Sequence, residues 1–132
     1  MERNEGNIKS YQDLILWQKA IGFVTDMYNM TRQFPSGEKF GIISQINRAA
    51  ISIPANIAEG WGRESTKSFI PFLRISRGSI MELTTLLVIA RNLGYLTEID
   101  SNEFSSRVNE LGKIINGLIK SLNKKISLDN MA

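Results

Sequence analysis

The sequence predicts an all-α fold, an antiparallel up-down-up-down four-helix bundle. Three observations carry this expectation. Segments of roughly twenty residues repeat apolar side chains at steps of three and four, capping or turn residues separate them, and nothing alternates apolar and polar as a half-buried strand does. Helices about 30 Å long joined by short loops favour antiparallel neighbours.

The first helix is expected to start at Ser10, which with Asp13 has capping-box spacing: the hydroxyl accepts a free amide of the first turn and the carboxylate suits the positive end of the helix dipole. Leu14, Trp17, Ile21, Val24 and Tyr28 form its inward stripe, and Phe34-Pro35-Ser36-Gly37 ends it, because Pro35 disfavours helical geometry at Phe34. The second helix is expected over residues 36–60, with Ile43, Ile46, Ala50, Ile53 and Ile57 inward. Pro54 removes the amide that would bond the Ala50 carbonyl; it predicts a kink near Ala50, with the Ser52 hydroxyl or a water replacing the lost donor. Gly60-Trp61-Gly62 turns the chain. Ser65 or Ser68 caps a third helix reaching residue 91, and Pro71 favours the later start, since near a helix N-terminus its missing amide would have had no partner. Phe69, Leu73, Ser76, Ile80, Leu83, Leu87 and Ala90 face inward. Gly94 closes this helix, Asp100 and Glu103 repeat the capping pattern, and Phe104, Val108, Leu111, Ile115, Leu118 and Leu122 line the fourth. The chain then divides into a disordered N-terminal segment (residues 1–10), the bundle (11–126) and a frayed tail (127–132).

The chain has 132 residues, 42% hydrophobic and 22% charged, enough for one core without a disulfide, and it has no cysteine. The polar opening MERNEGNIKS carries no secretory pattern, and residues 86–90, the longest strongly apolar run, fall far short of the ~20 residues of a membrane span. The expected location is cytoplasmic, without membrane contact. There is no histidine, which removes the Glu-x-x-His di-iron bundles, Arg/His helical ribonucleases and Ser-His or Cys-His nucleophiles. Ser36/Lys39 and Ser121/Lys124 match a Ser-x-x-Lys spacing that arises readily by chance, and Gly60-Trp61-Gly62 lacks the rest of a phosphate loop. The expectation is a protein that is not an enzyme, with no catalytic residues, no metal and no cofactor.

Gln45, Arg48, Ser52, Asn56, Glu59 and Arg63 recur at steps of three and four on the second helix. Such a line reads most simply as a solvated face, and otherwise as an interhelical hydrogen-bond network or a binding surface. The stretch SQINRAAISIPANIAEGWGR, residues 44–63, resembles the signature of the four-helix bundle family encoded in ribosomal RNA intervening sequences. Leu16-Trp17-Gln18-Lys19-Ala20, Phe34-Pro35, Glu38-Lys39-Phe40-Gly41 and Leu93-Gly94-Tyr95-Leu96 extend the likeness, from which Pro71 departs. The resemblance implies a homopentamer of antiparallel four-helix bundles. It marks Gln45, Arg48, Ser52, Asn56, Glu59, Gly60 and Arg63 as constrained positions without a catalytic role. Because a related accessory protein of diversity-generating retroelements binds nucleic acid and a reverse transcriptase, it also implies RNA, DNA, a reverse transcriptase or another protein as partners.

Sixteen Lys and Arg against thirteen Asp and Glu make the chain only mildly basic, so placement matters more than total. Lys67, Arg74 and Arg77 share one side of the third helix, with Arg63 entering from the turn before it; Lys113, Lys120 and Lys124 line the fourth. Lysines near a helix C-terminus are favoured by the dipole whatever the function, whereas Lys67 sits near an N-terminus, where a cation is disfavoured. Both lines are candidates for phosphate contact. The third helix is also apolar beyond its stripe: Ile70, Met81 and Val88 share one flank, Ile75, Leu86 and Ile89 the other, and these six are the candidate oligomer interface, against the alternative of a broad core within one chain. Two readings follow: an oligomeric nucleic-acid-binding scaffold favouring RNA, and a protein-interaction module that does not bind nucleic acid.

Overall fold

The structure is a computed structural model and describes residues 8–131. The described residues form four α-helices and no strand: α1 (Ile15–Thr31), α2 (Ile42–Trp61), α3 (Thr66–Asn92) and α4 (Glu98–Met131). α1 packs against α2 and α4, and α3 packs against the same two, so the four enclose one core. Lys19–Glu110 and Asp26–Arg107 between α1 and α4, and Ser52–Ser79 and Ile53–Ser76 between α2 and α3, pair residues in opposite directions along the chain. No helix among the described residues is long and apolar enough to cross a membrane.

Ser10 and Asp13 do form a capping box, but on a 3-10 turn, Tyr11–Asp13; extended backbone at Leu14 follows, and the α-helix begins only at Ile15. Of the segment expected to be disordered, residues 1–7 lie outside the described residues. The buried stripe of α1 is Leu16, Ala20, Phe23, Met27 and Met30, one residue out of phase with the expected one. Leu14, Trp17 and Val24 are half-buried against the core edge, while Ile21 and Tyr28 are exposed. α1 carries two apolar stripes ~100° apart, and the stripe holding Phe23 and Met27 fills the centre.

The segment expected to open the second helix is instead a 3-10 turn, Ser36–Glu38, with α2 starting at Ile42 and continuing through Pro54. The Ser52 hydroxyl does not replace the donor lost at Ala50; it accepts from the Asn56 amide at 3.0 Å and pairs with the Ser79 hydroxyl at 2.8 Å. α3 takes the earlier start: the Ser65 hydroxyl accepts from the Ser68 amide at 3.0 Å, and Thr66, Phe69 and Ile70 are buried ahead of Pro71, which is exposed inside the helix. Burial of that first turn outweighs the one hydrogen bond that Pro71 removes. For α4 the cap is Thr97, whose hydroxyl accepts from the Asp100 amide at 3.1 Å, in place of Asp100 and Glu103. Residues 127–131, expected to fray, continue α4 to Met131. This 34-residue helix is ~51 Å long, twice the length of α1; Ile126 still packs against the core, and residues 127–131 are exposed beyond it.

Candidate nucleic-acid interface

The α3/α4 seam is where sequence and packing concentrate positive charge. Residues 65–81 of α3 contain Lys67, Arg74 and Arg77 and no Asp or Glu; residues 111–128 of α4 contain Lys113, Lys120, Lys124 and Lys125 and again no Asp or Glu. The two helices are stitched where an Arg77 guanidinium N–H donates to Asn116 Oδ1 at 3.1 Å. Arg74 lies one turn before Arg77, and Lys113 and Lys120 lie one turn to either side of Asn116, so they flank this bond on the same side of their helices. Lys67, Arg74, Lys113, Lys120 and Lys124 are exposed and form no ion pair among the described residues. Acidic side chains gather at the start of α4, Glu98, Asp100 and Glu103; Glu110, one turn before Lys113, is held by Lys19, whose hydrogen bond and charge keep that carboxyl below its ordinary range.

Arg63 differs from the other predicted contacts. It pairs with Glu59 at 3.2 Å, both side chains about half exposed, and its guanidinium lies 4.6 Å from the centre of the Phe72 ring. It therefore ties the end of α2 to α3. Beside it, Gly60 is buried: a Cβ there would stand 2.6 Å from Phe72 Cβ and 2.7 Å from Phe69 Cδ1, so glycine lets the two helices approach. Ser52 and Asn56 join α2 to Ser79, and the buried Ser76 hydroxyl donates to the Ile53 carbonyl at 2.9 Å, an interhelical network in the middle of the polar line. Gln45 and Arg48 point to solvent.

The apolar flanks of α3 divide in the same way. Ile70 and Leu86, expected at an oligomer interface, are 4% and 7% exposed and belong to the chain's own core, because α3 packs on two neighbours and buries a wider arc than one stripe. Ile75, Met81, Val88 and Ile89 are 40–62% exposed and form the outer row. Among the described residues no three His, Cys, Asp or Glu side chains gather as a metal site would require.

Residues 12–117 match the model of the family described as 23S rRNA-intervening sequence protein. The chain belongs to this family. Arg63, Lys67, Arg74, Arg77 and Lys113 of this intervening-sequence protein fall within the matched span; Lys120 and Lys124 lie beyond it, on the long end of α4. A crystal structure of a protein of unknown function from the S23 ribosomal protein family of Bacteroides thetaiotaomicron has the same fold: TM-score 0.73 and 24% identity, covering 80% of this chain and 99% of that one. No functionally curated protein matches. Sequence reasoning passed over the recess around Tyr28, Arg32 and Lys39, because residues 34–37 read only as a turn and the side chains around it meet only once α1 and α2 pack.

Proposed function

We propose that this intervening-sequence protein is a non-catalytic, oligomeric scaffold of the cytoplasm that binds nucleic acid, RNA in preference to DNA, through the α3/α4 seam. The observation that carries the reading is the acid-free run on both helices at one seam, seven basic residues with no carboxylate among them. Side chains of this kind neutralise phosphates and release counterions, so affinity falls steeply with salt and reads backbone shape more than sequence. The one aromatic ring beside the basic line, Phe72, is occupied by Arg63, which argues against base stacking as the main source of affinity. The family's description, with its 23S ribosomal RNA setting, makes structured RNA the first ligand to try.

Oligomerisation rests on the outer face of α3. Met81, Val88 and Ile89 occupy its second half and Lys67, Arg74 and Arg77 its first, with Ile75 between the two arginines, so an interface and a phosphate-binding surface would share one helix. The resemblance favours a pentamer, whose repeated seams would bind polyvalently.

The test titrates structured RNA and duplex DNA at low and near-physiological salt against wild type and a Lys113→Glu, Lys120→Glu variant, with light scattering on both. We expect salt-sensitive binding, tighter for RNA, that the variant loses while it still assembles. Wild type that does not bind, or a variant that binds equally well, favours the protein-interaction module; a folded 14.9 kDa species removes the oligomer.

A further inference from the structure

The second concentration of unused polar groups lies at the other end of α2. A recess of about 260 Å³ opens where α1 meets α2, rimmed by Tyr28 and Arg32 from the end of α1, Ser36 and Lys39 from the connection, and Asn47 from α2. Phe34 and Ile43 supply its apolar lining; Phe34 is buried and fixed by the Tyr95 ring, 5.5 Å away between centroids. We propose that this recess binds a phosphomonoester carrying a flat ring, of the size of a nucleoside monophosphate.

Charge sets the sign of the ligand. Arg32 and Lys39 line the recess, no carboxylate does, and neither cation forms an ion pair among the described residues. One Arg32 N–H donates to Asn29 Oδ1 at 3.2 Å, leaving the rest of the guanidinium fork. Glu38, the nearest acid in sequence, does not line the recess; burial, followed by the hydrogen bonding and charge of Glu38, pushes the Tyr95 phenol above its ordinary pKa. The neutral groups set its hydrogen-bonding character. The Ser36 and Tyr28 hydroxyls and the Asn47 amide N–H groups donate no bond among the described residues. The buried Thr31 hydroxyl has one proton for two acceptors, the Tyr28 carbonyl at 3.1 Å and Asn47 Oδ1 at 3.2 Å. Apart from the one acceptor left over at the Thr31 hydroxyl, the site offers donors and two cations, which suit a ligand rich in acceptors. A phosphomonoester supplies three acceptor oxygens and a charge of about −1.5 to −2 at neutral pH.

Size and shape extend this to the ester. Phosphate alone leaves most of the recess empty, and its lining includes the exposed Tyr28 ring and the apolar Phe34 and Ile43, surfaces on which a planar ring would pack. The recess uses α1 and α2 and none of the seam residues, so it stands or falls independently of nucleic-acid binding at α3/α4.

The experiment titrates the full chain with adenosine 5′-monophosphate, inorganic phosphate and adenosine, following backbone amide shifts of residues 28–47. Wild type, an Arg32→Gln, Lys39→Gln variant, a Tyr28→Leu variant and the Lys113→Glu, Lys120→Glu seam variant are compared. We expect saturable binding of the monophosphate, weaker binding of phosphate, and at least a tenfold loss in the double Gln variant with its melting temperature kept. Tyr28→Leu should narrow the gap between monophosphate and phosphate, and the seam variant should bind as wild type does. A 5′-phosphorylated RNA hexamer tested against its 5′-hydroxyl form separates the sources: competition by the phosphorylated strand alone assigns the site to strand ends, and no competition by either assigns it to free nucleotides. Wild type that does not saturate below about 10 mM monophosphate, adenosine that binds as tightly, or undiminished affinity in the double Gln variant overturns the proposal.

Discussion

Replacing Gly60 by alanine should destabilise the protein although alanine is the better helix former. In a helix the change favours the folded state by up to about 1 kcal/mol, and less near the C-terminus of α2, where residue 60 stands. Against this, the new methyl would lie 2.6 Å from Phe72 Cβ and 2.7 Å from Phe69 Cδ1, whereas carbon atoms rest comfortably at about 3.5–4.0 Å. Phe72 Cβ is fixed to the α3 backbone and cannot rotate away. The Phe69 ring is buried and packed edge-on against Trp61, 6.0 Å between centroids, so the start of α3 must move. Overpacking of this kind costs about 1–3 kcal/mol, which leaves a net loss of about 1–2 kcal/mol. For a chain of this size that lowers the melting temperature by roughly 3–8 °C. Gly117→Ala is the control: a Cβ there meets nothing within 4 Å, and the same substitution on exposed α4 should stabilise by up to about 1 kcal/mol. Urea unfolding followed by far-UV circular dichroism, at one protomer concentration, measures both. A Gly60→Ala protein as stable as wild type would refute the close approach of α2 and α3.

Five further outcomes are expected. Glu110→Gln should destabilise at neutral pH and not in acid: the carboxyl's folded pKa lies below its unfolded value, so its contribution is present above the ordinary glutamate range and vanishes as pH falls through the lowered pKa, which unfolding at a series of pH values will show. Ser76→Ala should cost about 1 kcal/mol, measured by urea unfolding, because the buried hydroxyl donates to the Ile53 carbonyl at 2.9 Å. Arg107→Ala should cost about 1–2 kcal/mol in the same assay, since Arg107 pairs with Asp26 at 2.7 Å and its guanidinium lies within 6 Å of both the Phe23 and Phe104 rings, whereas Glu59→Ala, which removes only a half-exposed pair, should cost under about 1 kcal/mol. If the proposed assembly through the outer face of α3 forms, Met81→Glu should leave a 14.9 kDa species with helicity intact, read by light scattering and circular dichroism.

Much of the fold was legible because helical periodicity, capping serines and turn glycines act over a few residues. The inward residues of α3, from Phe69 to Ala90, lie where their spacing puts them, and Ser65 caps that helix. The acid-free stretches of α3 and α4 are likewise a property of the chain itself. Periodicity alone could not choose between the two stripes of α1, one residue apart, because that choice depends on which neighbours have room for Phe23 and Met27. Nor could it place Ile70 and Leu86 inside, since the width of the arc that α3 buries is set by the two helices packed on it.

The polar residues show the same limit. Along α2 the sequence offered one continuous polar line, and packing divided it: Ser52 and Asn56 into a network with α3, Glu59 and Arg63 into a surface pair, Gln45 and Arg48 to solvent. Tyr28, Arg32, Lys39 and Asn47 span twenty residues of two helices and their connection, and share no spacing that would mark them as a group. The sequence by itself determined four amphipathic helices, the turns that separate them, and which stretches carry positive charge without an acid. The tertiary structure decided which apolar face is core, why residue 60 is glycine and which donors meet in one recess, because each depends on distances between residues that only packing brings together.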